Sequence, residues 1–248
     1  MGEKRRRGFD LIIPHPSSLI PLNIPQISMK RVVIIGAGGH GREVAEILRQ
    51  QIEAGDRLTL LGFIDENSHL RKETRDGLQV LGGWEYFEGV DRNDVSVICG
   101  VGLPQVLRRL ALHAESLNLN FVNAVSPLAH VSPYARLGRG VVMFPNTVAN
   151  TNSFIEDYSI LNVSATVSHD SKIGHYSNIN PGAHLAGNVT IGEGCYIGMG
   201  ANVIQGKRIG EWSIVGAGAI VVEDLPANVT AVGVPAKIIK QKEKGWHE

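Results

Sequence analysis

The chain has 248 residues, 43% of them hydrophobic, which is ordinary for a globular protein and enough for one large domain or two modest ones. Lys plus Arg and Asp plus Glu stand at 24 each, so no overall field exists to hold nucleic acid or an anionic membrane surface, and small-molecule chemistry is favoured. The two cysteines, Cys99 and Cys195, are far apart and lack CxxC spacing, which argues against a disulfide framework and a zinc site; no metal is expected, and the chain reads as cytoplasmic.

Residues 1–28 begin with a basic run, Lys4 to Arg7, but Pro14, Pro16, Pro21 and Pro25 interrupt the stretch after it. No continuous apolar segment remains, and nothing elsewhere approaches the ~18 apolar residues of a membrane span, so membrane insertion is not expected. The segment reads as an irregular extension ahead of Met29.

Arg31-Val-Val-Ile-Ile35 is a short apolar run of the kind found in parallel strands buried on both faces. The glycine-rich turn Gly36-Ala-Gly-Gly-His-Gly41 comes next, and then Val44, Ala45, Ile47 and Leu48 fall on one helical face. A second strand, Leu60–Ile64, ends at Asp65 and Glu66; a third, Val95–Cys99, ends in Gly100-Val-Gly102. Together these predict a small α/β Rossmann-like domain over residues 29–122. The spacing of Gly36, Gly38 and Gly41 is also that of a dinucleotide site, making an oxidoreductase a rival reading. About 95 residues are few for a full six-stranded dinucleotide fold, which weakens that rival.

From Val125 the period changes. An aliphatic anchor recurs every six residues, Val125, Val131, Leu137, Met143 and so on to Val221, giving 17 anchors without an insertion. Four places after each anchor from Val125 to Val215 stands a small or β-branched residue, with Lys207 the one break. Neither a 3.6 nor a 2.0 period explains this, whereas a triangular coil with six-residue sides does. Anchors then point inward, and coils stack at about 4.8 Å. This predicts a β-helix over residues 123–240 including a cap, with 241–248 as a tail. Uninterrupted coil flanks suit packing against copies of the same chain, so a homotrimer is expected.

The Gly38-Gly39-His40-Gly41 turn, the hexapeptide prism, Ser168-His169-Asp170, Ala186-Gly187-Asn188 and Gly233-Val-Pro-Ala-Lys237 together resemble the nucleotide-amino-sugar N-acetyltransferases of bacterial glycan pathways; sialic acid O-acetyltransferases are similar. The resemblance covers about residues 29–240. It implies a left-handed parallel β-helix trimer, acetyl-coenzyme A (acetyl-CoA) as acetyl donor between neighbouring prisms, and a nucleotide-linked amino sugar held by the N-terminal domain. The expected activity is N-acetylation of a 4-amino-4,6-dideoxy sugar nucleotide. O-acetylation of a sialic acid or similar hydroxyl is the alternative within the class, and a non-catalytic sugar-nucleotide-binding scaffold the alternative outside it.

Acetyl transfer to an amine needs a base near the acceptor. His169, at the outward third position of its hexapeptide, is the candidate, and Asp170 would orient it and stabilise the imidazolium. Residues 18 apart stack on successive coils, so Gly187 should lie about 4.8 Å from His169 with a backbone N–H free to act as an oxyanion donor. The resemblance gives Gly187 the same role. It also puts Asn162 near the acceptor, Gly38, Gly39 and His40 near the pyrophosphate and sugar, Asp65 near the base, and Gly82 among the substrate-binding residues. Gly198, Gly200, Gly216 and Gly218 could offer flat surface to pantetheine, and Pro235 and Lys237 could meet the adenine and phosphate end. His184 lies near the supposed thioester, His175 reads as solvated, and Cys195 as a small core residue, so direct attack is preferred to an acyl-enzyme.

Overall fold

A computed structural model describes residues 29–247; the expectations for residues 1–28 fall outside them. The N-terminal part runs β1 (Lys30–Ile35), α1 (Gly39–Glu53), β2 (Leu58–Ile64), β3 (Thr74–Arg75), β4 (Leu78–Gly82), β5 (Val95–Cys99), α2 (Pro104–Ser116) and β6 (Asn120–Phe121). Its sheet has the order β3-β4-β2-β1-β5-β6, parallel except for the β3–β4 pair. The sheet thus counts six strands without being the full dinucleotide fold for which about 95 residues are few. The sixfold count is reached with two-residue edge stubs, β3 and β6, and not with a second βαβαβ half.

Strand β1 is central, with Val32 to Ile35 at 2% exposure or less. Val44, Ala45, Ile47 and Leu48 of α1 pack on the sheet, as do Leu107, Leu110, Ala111 and Ala114 of α2. Pro104 sits in the first turn of α2, where a missing N–H costs nothing. The chain passes from β1 to β2 on one side and to β5 on the other. A crevice opens at the carboxyl ends of β1 and β5, where ligands bind in open α/β sheets.

Residues 124–221 form a parallel β-helix with three faces, each a ladder of two-residue strands spaced 18 residues apart; one ladder runs Ala124–Val142–Ile160–Asn178–Tyr196–Ile214 and is closed by the longer strand Val229–Val232 and the antiparallel strand Lys237–Gln241. The anchors from Met143 to Val221 are buried, whereas Val125, Val131 and Leu137 on the first coil are half-buried at the open end. Burying each anchor contributes about 1.5–3 kcal/mol. The small residues four places on do more than fit. Ser159 Oγ donates to Gly174 O at 2.8 Å and Ser177 Oγ to Gly192 O at 2.8 Å, and Ser177 Oγ accepts from Cys195 N at 3.0 Å. A buried hydroxyl without partners would destabilise the coil; here each links one coil to the next.

Every sixth residue from Gly140 to Gly218 takes a left-handed backbone, and this turns each corner. Glycine, Asn and Asp are the residues that visit this region readily. On one corner, however, Tyr158 (φ 62°), Tyr176 (φ 58°) and Trp212 (φ 57°) occupy it. Tyr158 and Tyr176 stack with centroids 5.2 Å apart, and His247 stacks on Trp212 at 3.7 Å. This aromatic corner meets α2: Tyr158 Oη donates to Glu115 at 2.5 Å, Arg139 joins the same carboxylate, and the Arg108 guanidinium lies over Trp212. Ala124, Val142, Phe144 and Ile160 of the prism share one apolar cluster with the sheet, so the two parts are packed together along one prism face. Among the described residues no helix is long and apolar enough to cross a membrane.

Candidate active site

The glycine turn closes against its own helix. A Cβ on Gly41 would stand 2.0 Å from Gly36 O, and one on Gly100 would stand 2.5 Å from Gly41 Cα. Gly38 and Gly39, in contrast, have nothing within 4 Å of a Cβ and present open backbone at the start of α1, whose first N–H groups lack helical partners. Below them lies a cleft of about 480 Å³ lined by this turn, His40, Asp65 and Gly100–Leu103, and on the prism side by Asn162, Asn178, Asn180 and Tyr196. A recess of about 150 Å³ adjoins it between Ile64, Asp65, Glu66, Trp84, Val106 and Leu110.

Asp65 organises this region: Oδ2 accepts from Ala37 N and Oδ1 from Asn67 N, both at 2.8 Å. Gly82 is buried, and its carbonyl accepts from Asp65 N at 2.9 Å, so it supports Asp65 from behind and does not line the cleft. Glu66 accepts from Arg109 at 2.7 and 2.8 Å and from Trp84 Nε1 at 3.3 Å, and the Arg109 hydrogen bond holds its carboxyl below the usual range. The His40 ring lies 5.3 Å from that of Phe144, and burial pushes its pKa down to about 4, leaving it neutral at neutral pH. Asn178 Nδ2 donates to Gly102 O at 2.8 Å and ties the cleft wall to the prism.

His169 is elsewhere, at a different corner. Its Nδ1 is 2.8 Å from Asp170 Oδ2, its side chain is 49% exposed, and a Cβ on Gly187 would fall 2.4 Å from its Cε1 and Nε2. The Gly187 N–H has no hydrogen-bond partner among the described residues. Hydrogen bonds from His169 and then from Asn152 hold the Asp170 carboxyl below the usual range. Since a carboxylate only accepts, Nδ1 carries the proton and Nε2 is the free basic nitrogen.

Between that corner and the cleft runs the prism face bearing Thr166, His184, Asn202 and Ile220 in one ladder. His184 Nδ1 is 2.9 Å from Thr166 Oγ1, and His175 Nε2 lies 3.4 Å from Glu156 Oε2. The Gly233–Ala236 loop, which includes Pro235, seats on Ile220 at the top of the ladder, with Lys237 exposed beside it. Gly200 and Gly218 turn an open corner with nothing within 4 Å. Gly198 and Gly216 have another reason to be glycine: a Cβ would fall 2.5 Å from Ala217 N and 2.7 Å from Val232 Cγ1, respectively.

Residues 31–113 match the PglD N-terminal domain, and residues 170–205 match the bacterial transferase hexapeptide (six repeats). The GDP-perosamine N-acetyltransferase of Escherichia coli O157:H7 is 32% identical over 155 residues, 57% of this chain and 63% of that relative's length. The acetyltransferase domain of PglB from Neisseria gonorrhoeae superposes with a TM-score of 0.79 at 33% identity, covering 85% of this chain and 100% of that one. PerB of Caulobacter crescentus, solved with CoA and GDP-perosamine, gives 0.78 at 37% identity, covering 86% and 99%. The chain belongs to the hexapeptide-repeat sugar N-acetyltransferases. Members of this family are acetyl-CoA-dependent enzymes, and this one is an acetyltransferase of that kind. The open corner at Gly200 and Gly218 would leave room for the donor's extended arm, and the exposed Lys237 would be a cation available to its phosphates. Among the described residues no group of three or more His, Cys, Asp or Glu could hold a metal.

The cleft residues Asn178, Asn180, Tyr196 and Leu103 and the recess residues Trp84 and Glu66 are not singled out by the sequence. Asn180 carries a usable signal, standing 18 residues after Asn162.

Proposed function

We propose that this sugar N-acetyltransferase moves the acetyl group of acetyl-CoA to the 4-amino group of a nucleotide-linked 4-amino-4,6-dideoxy sugar, by direct attack with His169 as general base. The observation that carries the reading is the contact of the His169 ring with the bare Gly187 backbone on the next coil. His169 Nε2 takes the proton that the amine loses as its bond to the acetyl carbon forms, and gives it to the coenzyme A thiolate that leaves as the carbon–sulfur bond breaks. Asp170 keeps the ring in the right tautomer and stabilises its charged form. The Gly187 N–H meets the carbonyl oxygen on which negative charge develops, a contribution of about 10²–10³ in rate at comparable sites. Burial pushes both thiols, Cys99 and Cys195, up to about 12, so neither supplies a thiolate for an acyl-enzyme.

In the cleft, Gly38 and Gly39 would face the pyrophosphate, the Asp65 recess the base, and His40 and Asn162 the sugar. Asn162 and His169 are seven residues apart, and at about 3.3 Å per residue a whole prism side separates them. One chain cannot then present both to the same substrate, and a homotrimer in which the neighbour brings its His169 to this cleft completes the site. Leu128, Val163 and Met199 at one corner and Ile204 toward the other, all at least 40% exposed, border the intervening face and suit burial between subunits.

Thiol release with GDP-, UDP- and dTDP-linked 4-amino sugars, GDP-perosamine included, beside hydroxyl acceptors tests the reading. Turnover of an amine acceptor, lost by about 10³ or more in His169→Ala, is expected. Near-normal turnover of His169→Ala at saturating substrate overturns it.

A further inference from the structure

His169 uses one oxygen of Asp170. The other, Oδ1, accepts from Asn152 Nδ2 at 3.2 Å. Chemistry fixes the amide orientation, because a carboxylate offers no proton and only the NH₂ end of Asn152 can face it. Asn152 stands 18 residues before Asp170 at the same corner, one coil below, and both are left-handed, at φ 53° and 58°. The left-handed corner admits Asn, Asp or Gly alike, as Asn188 and Gly206 show on the coils above, and of these Asn152 also brings a donor to the Asp170 carboxylate.

We propose that Asn152 is a positioning residue of the active site, clamping the Asp170 carboxylate in the rotamer that holds His169. Asn152, Asp170 with His169, and Gly187 then form one line over three consecutive coils. Asp170 is 46% exposed, so without this second hydrogen bond its carboxylate is free to turn toward water and release the imidazole. The adjoining rungs present the uncharged Thr151 and Asn152 below and Gly187 and Asn188 above, which leaves Asp170 as the charge in contact with His169. The lowered pKa of Asp170, caused by His169 first and Asn152 second, agrees with this arrangement. The inference rests on the reading of His169 as the base.

Two variants of the full-length enzyme separate clamp from turn. Asn152→Gly keeps the backbone and removes the donor; kcat should fall between about five- and fiftyfold, with both KM values within about twofold. Asn152→Asp keeps backbone and shape but points a second carboxylate at Asp170. The added negative charge favours the imidazolium, so the acid limb of the kcat/KM profile should move up by about one pH unit. The charge added in Asn152→Asp acts on the imidazole whatever the wild-type role of Asn152, so that variant reports that the position is coupled to His169, and Asn152→Gly decides between clamp and turn. Wild-type kcat in Asn152→Gly, with His169→Ala inactive, sinks the clamp and spares the base; an active His169→Ala enzyme sinks both.

Discussion

The imidazole of His169 rests on the α-carbon of Gly187, one coil above, so closely that a methyl group there would fall 2.4 Å from two ring atoms. The ring is half-exposed and can swing away, so Gly187→Ala is expected to fold normally while kcat drops about 10²–10³-fold. In a His169→Ala background the same substitution should cost little, because the two groups act as a unit. A double-mutant cycle on kcat, with melting curves for all four proteins, checks this.

The glycine turn separates fold from binding. Gly38→Ala meets no atom within 4 Å, so its stability should stay within about 0.5 kcal/mol of wild type while KM for the sugar nucleotide rises and KM for acetyl-CoA does not. Gly41→Ala drives a methyl to 2.0 Å from Gly36 O and should lose about 2 kcal/mol or more. Urea titration beside steady-state kinetics distinguishes the two.

His40 gives stability a pH dependence of known sign. Its pKa falls from 6.5 to about 4 on folding because burial disfavours the charged ring. The unfolded chain therefore binds more protons between those values, and the stabilising contribution, present above 6.5, is lost as pH falls through about 4. It amounts to the order of 3 kcal/mol. Urea midpoints should decline across this window in the wild type and less steeply in His40→Gln.

Subunit exchange tests where the site is completed. His169→Ala protomers keep an intact cleft, and a protomer whose cleft is blocked at Gly38 keeps an intact imidazole. Equal mixing by refolding should restore about a quarter of wild-type sites if His169 serves a neighbour, through random head-to-tail pairing in a ring. Recovery near zero places both halves of the chemistry within one chain.

The prism was plain in the sequence because a single local geometry recurs: anchors from Met143 to Val221 are buried, and the arithmetic of eighteen set Gly187 over His169. The edge strands β3 and β6 left no trace, since two residues carry no period. Asn178 and Tyr196 occupy outward places on a face covered by the N-terminal domain, and nothing in a hexapeptide says which face is covered. Gly198 and Gly216 show the limit from the other side. A glycine required by the backbone of the next coil reads in sequence like one that offers room to a ligand.

The left-handed residue at every sixth position makes chain length along the prism come in fixed quanta. A single insertion inside a coil would rotate all later outward side chains onto a different side, whereas gain or loss of a complete turn only shifts them along the axis by about 4.8 Å. Diversification of the acceptor has therefore to happen off the ladder. The places with room to vary hang from the sheet, Gly38–Gly39, Glu66–Asn67 and Val101–Leu103, and new specificities should be sought there.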